Sequence, residues 1–531
     1  MRRETGHPLA PRATWMCFTL VVALLALRLP SLVQPAGGDQ GLYAYAGQRI
    51  LAGDVMYRDM WDQKPPGIAA LYAVMLRVWP HESVVPGADL VAAALVAWLL
   101  VVLGRRRFSS AIGWGAAIIF LFLGDPYLQR MSGVYVRGQC EPFVSVAVAA
   151  SLVLLAAPKR RRRHLIGAGL AFAAAFWIKY SGAYGVVVLA AVWAWRPESA
   201  RGWLHVARDV FWIAGAFVIV AAAVLAYFAF HHALLDLRLA TIDYNLLYSN
   251  ETYVSRASAL FYILAFPVER ARVDMLWFVG GVGAALLVVV RPQSWRSPVA
   301  ALAWLASAIL AIAINGHRDL PNYFVQANPA LALTASAGFA TLARSRASLR
   351  VAAAALLAVA LWRVGSDKTV WGLRLASMPG LVENVRYDLS YVRGRIDRDD
   401  YLSRFKGQKF DALAIEHLTR YMRSQTAPSD PIYLFGFSGG SVCWKSDRAS
   451  ASRFFWSRPI LIEFDADRPG YGSAGLLADL RLRPPAVVAL QKDEWRSRDF
   501  FIHDAALREW LESGYVFDHE TSMFEVWRRT S

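Results

Sequence analysis

Apolar blocks dominate the first two thirds of this sequence and limit its possible folds more than any other feature. They recur between residues 14 and 365, separated by short polar stretches, whereas the rest of the chain is of mixed composition. A bilayer offers backbone amides no partners outside a helix or closed barrel, and a helical span needs about 20 residues. We therefore predict an α-helical polytopic membrane protein. The predicted spans, about eleven, are 14–34, 86–104, 109–124, 142–157, 165–180, 183–195, 209–230, 273–290, 298–314, 323–342 and 349–365.

The net charge of +17 is explained by where the basic residues lie. They cluster in alternate gaps between apolar blocks, which is the positive-inside pattern and argues against nucleic-acid binding. The N-terminus is then cytoplasmic, and segments 35–85, 124–141, 231–272, 315–322 and everything after 366 lie outside. A cleaved signal peptide is the alternative for the first span, but Arg28 and Pro30 do not resemble a cleavage site.

Two domains are predicted: a transmembrane domain, 1–365, and a small α/β extracytoplasmic domain, 366–531. In the second, 411–426 and 504–513 are predicted helices. Segments 431–437 and 486–490 are predicted strands, and 515–517 with 523–527 form a predicted hairpin. The domain contains no phosphate loop, nucleophile elbow or zinc spacing. The three cysteines form no disulfide framework.

The outer loop 35–85 carries the first candidate for catalysis. Asp39 follows two glycines, which allow close approach of a ligand, and it could act as a general base. It could equally be the N-cap of a helix over 40–52 that ends at Gly53. Tyr43, one turn later, could stack on a sugar ring or anchor the helix at the membrane interface.

The run Trp61 to Gly67 is the second candidate in this loop. It places Asp62 beside Lys64, and two prolines follow the lysine. The prolines stiffen the turn, so presenting the lysine to a lipid phosphate costs little entropy. The alternative is a solvated turn before an interfacial helix over 66–79.

Further charged residues fall near the predicted outer ends of spans. Glu141 borders a span and needs a partner, for which we predict Arg137, one turn earlier. Lys179 either snorkels to the surface or points into a cavity. A short outer loop carries His317 and Arg318, and Tyr323 follows. A cavity lined in this way suits an anionic, lipid-linked substrate.

Three stretches of the sequence resemble the GT-C superfamily of membrane glycosyltransferases, in particular the branch of protein O-mannosyltransferases and lipid A aminoarabinose transferases. They are 38–67, with its acidic residue, tyrosine-containing helix and Lys-Pro-Pro motif; 137–143, with a glutamate before a span; and 322–333, similar to a His-Tyr stretch that ends in proline. Two positions depart from the family pattern. Gln63 stands where a glutamate is common, and Asn322 where a histidine is common, with His317 nearby.

The resemblance implies transfer of a sugar from a polyprenyl-phosphate donor to a lipid, glycan or protein acceptor on the outer face of the cytoplasmic membrane. Asp39 would match the essential acidic residue, and Lys64 the motif lysine near the donor phosphate. Arg137, Lys179 and Arg318 are further candidates for the phosphate, and Tyr43, Asp62, Glu141, His317 and Tyr323 for the substrate pocket. We expect no cofactor and no metal. A lipid-linked glycan polymerase or ligase and a secondary transporter are the alternatives.

Overall fold

The computed structural model describes residues 9–128, 133–182, 185–196, 202–290, 295–345, 378–407, 410–492 and 495–530, with a few single positions between 346 and 377. Packing divides the chain into two compact units. The membrane unit comprises Met1–Leu32, Pro86–Leu225 and Leu247–Leu389. The composite unit comprises Val33–Val85, Ala226–Leu246 and Ser390–Ser531.

The described residues form the following helices and strands, named in chain order. The helices are α1 (Pro11–Leu27), α2 (Gly38–Leu51), α3 (Pro66–Val78), α4 (Val84–Arg107), α5 (Ser110–Leu123), α6 (Cys140–Leu155), α7 (Arg162–Ile178), α8 (Gly185–Ala194), α9 (Trp203–Phe230), α10 (Leu234–Arg238), α11 (Tyr244–Asn250), α12 (Arg256–Val273), α13 (Met275–Val289), α14 (Arg296–Ile314), α15 (Pro321–Val325), α16 (Asn328–Ala343), α17 (Met378–Val392), α18 (Arg398–Ser403), α19 (Ala412–Gln425), α20 (Gly439–Ser446), α21 (Arg458–Leu461), α22 (Gly472–Leu482), α23 (Ser497–His503) and α24 (Ala505–Gly514). The strands are β1 (Ile432–Phe435), β2 (Val487–Gln491), β3 (Tyr515–Glu520) and β4 (Phe524–Arg529).

Apolar helices of membrane-spanning length confirm the general fold class. Five described helical stretches are long and apolar enough to cross a bilayer, and several shorter apolar helices accompany them. The number eleven stays a prediction: most of the predicted span 349–365 lies outside the described residues, and 183–195 begins outside them. The long stretches are Pro11–Val33, Val84–Arg107, Ser110–Leu128, Trp203–Phe230 and Arg296–Ile314.

Close backbone contact holds α13 and α16 together in the membrane unit. A side chain on Gly338 would overlap the backbone of Gly283, so both helices need glycine where they meet. The hydroxyl of Thr334 donates to the carbonyl of Gly280 at 3.1 Å. Several buried charges in this unit form ion pairs, as in Arg28–Asp125 at 3.2 Å and Arg270–Asp274 at 3.0 Å. Pairing offsets much of the cost of placing these charges at low dielectric.

A four-stranded sheet of order β1-β2-β4-β3 forms the centre of the composite unit. β1 and β2 are parallel, and β4 pairs antiparallel with both β2 and β3. Both β1 and β2 are buried along their whole length, as short, continuously apolar strands require. The strands lie at the predicted segments. The predicted domain boundary at 365 stays untested, since residues 361–377 lie outside the described ranges.

The outer loop contains the two predicted helices, α2 and α3, which pack against each other in the composite unit. Gly47 faces the backbone of Tyr72 and Ala73 so closely that a side chain there would overlap it. Pro65 and Pro66 stand at the N-cap and first position of α3, where a proline loses no hydrogen bond.

Candidate active site

Asp39 lies in the first turn of α2 and its side chain is half-buried. The helix begins at Gly38 and its N-cap is Gly37, so the interpretation of Asp39 as the N-cap is wrong. A side chain on Gly38 would overlap the ring of Phe437, which explains the glycine directly before the carboxylate. A carboxylate at this place interacts favourably with the positive end of the helix dipole.

Residues far along the chain hold the helix that carries Asp39. Gly41 lies so close to Ser441 that α2 and α20 touch through their backbones. The hydroxyl of Tyr45 accepts the Ser450 amide hydrogen at 2.7 Å, and the Gln48 amide donates to Asp447 at 2.6 Å. These positioning residues were missed from the sequence, since no local pattern indicates such distant partners.

Tyr43 is buried against the second helix of the loop. Its ring meets the ring of Tyr72 edge to face, with centroids 5.6 Å apart, and only 2% of the residue is exposed. So little of the ring is exposed that it offers a sugar almost no surface, and the stacking role stays a prediction. The structure brings Tyr43 into the same unit as Asp39, Asp62 and Lys64.

The Lys-Pro-Pro turn is fixed by hydrogen bonds to its backbone. Tyr57 donates its hydroxyl to the carbonyl of Lys64 at 2.8 Å, and the Asn245 side chain donates to the carbonyl of Gln63 at 2.7 Å. Tyr57 has a φ of +73°, a conformation that costs energy for a residue with a bulky side chain. The Lys64 side chain is half-exposed, so a rigid turn presents a cation at the surface of this unit.

Asp62 is the buried charge behind this turn. Its Oδ1 accepts the Lys64 amide hydrogen at 3.3 Å, and its Oδ2 has no hydrogen-bond partner among the described residues. Burial raises the pKa of Asp62 to about 6, opposed by the charge of Lys64 and assisted by the charge of Asp39. Asp62 can therefore exchange a proton near neutral pH.

Trp61 anchors the same turn in an aromatic cluster. Its ring lies within about 6 Å of the rings of Tyr244, Phe454, Trp456 and Phe464. The Trp456 indole also donates to the carbonyl of Trp61 at 3.3 Å. The cluster joins three separate stretches of the chain, which explains why the sequence alone did not reveal it.

A second group of predicted site residues lies in the membrane unit, around Lys179. Its Nζ lies 2.5 Å from Oε1 of Glu141 and 4.3 Å from the centre of the Tyr323 ring. Lys179 is 5% exposed, so it points inward and does not snorkel. The predicted pair of Arg137 with Glu141 is wrong, because Glu141 pairs with Lys179 instead.

Aromatic hydroxyls extend this group. The hydroxyls of Tyr323 and Tyr248 are 3.4 Å apart, and the Arg318 guanidinium lies 3.6 Å from the centre of the Tyr248 ring. Arg318 also pairs with Glu251 at 2.9 Å. Polar groups thus form a continuous series of contacts that runs through Glu141, Lys179, Tyr323, Tyr248, Arg318 and Glu251. The sequence analysis did not identify Tyr248 and Glu251.

Arg137 and His317 make contacts with other residues of the membrane unit. The Arg137 guanidinium is 5.2 Å from the centre of the Tyr127 ring and 3.5 Å from the carbonyl of Ser31. His317 is exposed, with its ring 4.3 Å from that of Tyr262 and its Nε2 3.4 Å from Asp319.

A metal site in a protein needs several His, Cys, Asp or Glu side chains close together. Among the described residues, no group of three or more His, Cys, Asp or Glu side chains could hold an ion. Metal independence stays a prediction.

Comparison with known proteins shows the fold to which these residues belong. No protein-family profile and no curated protein sequence matches the chain. Among solved structures, it is similar to ArnT from Cupriavidus metallidurans bound to undecaprenyl phosphate, with a TM-score of 0.62 and 15% identity over 98% of this chain and 99% of that chain. The chain has the fold of ArnT.

ArnT is a lipid A aminoarabinose transferase of the GT-C superfamily. ArnT in its apo state gives a TM-score of 0.61 at 15% identity, over 97% of this chain and 98% of that chain. The archaeal oligosaccharyltransferase AglB from Archaeoglobus fulgidus gives 0.47 at 13% identity, over 98% of this chain and 75% of that chain. The likeness to ArnT confirms the predicted resemblance for the fold.

Proposed function

We propose that this chain is a membrane glycosyltransferase. It moves a sugar from a polyprenyl-phosphate donor to a hydroxyl of a lipid, glycan or protein on the outer face of the cytoplasmic membrane. The observation that carries the proposal is the arrangement of Asp39, Asp62 and Lys64 in one unit of a chain with the ArnT fold. The solved ArnT structure binds undecaprenyl phosphate, a carrier of the same chemical class.

In the proposed reaction, Asp39 takes the proton from the acceptor hydroxyl as its oxygen attacks the anomeric carbon. The new carbon–oxygen bond forms as the bond from the anomeric carbon to the phosphate oxygen breaks, so the anomeric centre is inverted. The polyprenyl phosphate leaves with the bonding electrons. A general base typically contributes about 10²–10⁴-fold to such a rate.

Lys64 is our candidate for stabilising the charge that develops on the leaving phosphate. Its turn is fixed by Tyr57 and Asn245, so little reorganisation is needed when the charge appears. Asp62, whose pKa is about 6, interacts electrostatically with both Lys64 and Asp39.

Three predicted phosphate-binding residues, Arg137, Lys179 and Arg318, lie in the membrane unit and contact different partners. Lys179 already faces Glu141 and Arg318 already faces Glu251, which neutralises much of their charge. We therefore assign Lys179 and Arg318 a positioning role, together with Tyr323. Arg137 remains a candidate for the phosphate, as the resemblance to the GT-C superfamily implies.

The test compares Asp39→Asn with Asp59→Asn, a matched change in the same loop. Asp59 is exposed and pairs with Arg58 at 2.7 Å. The purified proteins are assayed with a panel of undecaprenyl-phosphate-linked pentoses and hexoses, with solubilised envelope as the acceptor. Binding of undecaprenyl phosphate is followed by thermal unfolding.

Asp39→Asn should bind undecaprenyl phosphate normally and transfer sugar at a rate lower by roughly 10²–10⁴-fold. Asp59→Asn should resemble the wild type, and Lys64→Ala should lose affinity for undecaprenyl phosphate. Transfer by Asp39→Asn at a near wild-type rate would overturn the mechanism. A wild-type protein that transfers none of the sugars and does not bind the carrier would overturn the function.

A further inference from the structure

A basic cavity lies in the membrane unit, at the end that the sequence predicts to be cytoplasmic. It has a volume of about 350 Å³. Its charged lining consists of five arginines and a single aspartate, giving a net charge of +4. These residues are Arg160, Arg161, Arg162, Arg196, Arg208 and Asp209.

Two of these arginines are held in place by the one carboxylate. Arg160 Nη1 lies 3.1 Å and Arg196 Nε lies 2.8 Å from Oδ2 of Asp209. Arg160 also donates to the carbonyls of Val192 at 3.2 Å and Leu155 at 2.9 Å. Since Asp209 is buried and shared, it cannot balance the other three arginines.

The beginning of α7 adds to the positive charge. Arg161 is its N-cap and Arg162 its first residue, and no acidic residue lies in its first turn. Arginines are unfavourable here because the helix dipole is positive at this end. A bound anion would relieve this repulsion and could accept amide hydrogens of the first turn.

Aromatic rings complete the lining. The Arg162 guanidinium lies 5.0 Å from the centre of the Trp212 ring, and Trp195 and Leu165 also line the cavity. Tryptophan is enriched at the level of lipid headgroups, and basic pockets between helices bind acidic ones. The positive-inside pattern explains many basic residues in these gaps, but it does not require them to converge on one cavity.

We propose that this cavity binds the phosphate group of an anionic phospholipid. The exposed Arg161, Arg162 and Arg208 contact the phosphate, while Arg160 and Arg196, fixed by Asp209, form the floor. The tryptophans contact the apolar part of the lipid. This site is separate from the residues of the proposed reaction and does not depend on that reaction.

The test is binding to the purified full chain with three probes. Dioleoyl phosphatidylglycerol supplies an anionic headgroup, dioleoyl phosphatidylcholine a neutral control, and inorganic phosphate the free anion. The site variant is Arg161→Gln with Arg208→Gln. The matched control is Arg105→Gln with Arg163→Gln, which removes the same charge from exposed positions in predicted cytoplasmic gaps but not from the cavity lining.

The wild type and the control should bind phosphatidylglycerol more tightly than phosphatidylcholine. The site variant should bind phosphatidylglycerol at least about tenfold more weakly, because two charge-assisted hydrogen bonds are lost. All three proteins should unfold at similar temperatures without added lipid. Equal loss in both variants would show a general surface charge effect and overturn the site. Binding of inorganic phosphate without a preference for phosphatidylglycerol would overturn the lipid as ligand.

Discussion

Lys179 and Glu141 form a buried ion pair, with 2.5 Å between Nζ and Oε1. Glu141 lies in the first turn of α6, and Lys179 directly follows α7. Each charge depends on the other, because water is largely excluded from both. The pair therefore joins two helices that are consecutive in sequence, and it places the lysine against the ring of Tyr323.

Removing one member of this pair should destabilise the protein more than removing both. Lys179→Met leaves an uncompensated buried carboxylate, and we expect a loss of about 3–5 kcal/mol. Adding Glu141→Leu should recover most of that loss, as measured by thermal unfolding in detergent. Arg238→Met, which breaks an exposed pair with Asp243, should change stability by less than about 1 kcal/mol. A double variant as unstable as Lys179→Met would contradict this account.

Asp62 should make the protein less stable as the pH rises from about 4 to about 6. Burial raises its pKa from 3.8 to about 6, so the folded state holds a proton that the unfolded state releases. The loss across this interval is roughly 3 kcal/mol at most, and it should level off above pH 6. Asp62→Asn should abolish this component, while Asp59→Asn should keep it. Unfolding midpoints measured from pH 4 to pH 8 provide the test, and a wild-type curve identical to that of Asp62→Asn would refute it.

Gly41→Ala should lower stability although alanine is the better helix former. The new methyl group would overlap Ser441, and relieving such overpacking typically costs about 1–3 kcal/mol. Gly281→Ala is the control, since nothing lies within 4 Å of a side chain there, and it should be neutral or slightly stabilising. Thermal unfolding compares the two. If Gly41→Ala also proves neutral, the close contact of α2 with α20 is incorrect.

The orientation predicted from the basic gaps is tested by reporter fusions. Fusions after Arg107, Arg163 and Arg346 should be cytoplasmic, and those after Pro80 and at position 400 external. An alkaline phosphatase fusion is active only outside the cytoplasm, and a green fluorescent protein fusion fluoresces only inside it. The two reporters therefore give two independent measurements of each position. Alkaline phosphatase that is inactive at position 400 would place the C-terminal residues on the wrong side for the proposed reaction.

Local patterns predicted the elements well. The helix of Asp39 follows from its composition and from Gly53, which ends it, and the buried strands follow from short apolar runs. Two predictions about single side chains were wrong. Asp39 is not a cap, because Gly37 adopts the extended backbone of that position. Arg137 does not pair with Glu141. The helix α6 begins only at Cys140, so Arg137 precedes it and the two residues are not one turn apart on the same helix.

The partners of the candidate site could not be predicted in the same way. Tyr57 and Asn245 hold the lysine turn, and Ser441 and Ser450 hold the helix of Asp39. Tyr57 lies only seven residues from Lys64. The other contacts join residues that are 182 or more positions apart, so periodicity and propensity contain no information about them. Asp62 was predicted as a pocket residue, but its proton exchange near neutral pH depends on burial.

The attachment of α2 to residues 437–450 has a consequence for biosynthesis. The helix of Asp39 leaves the ribosome early in synthesis, whereas Ser441, Asp447 and Ser450 follow about 400 residues later. Until they arrive, the outer loop lacks the surface against which it is ordered. We therefore expect a chain truncated before residue 437 to keep its apolar helices but to lack the contacts that order the helix of Asp39.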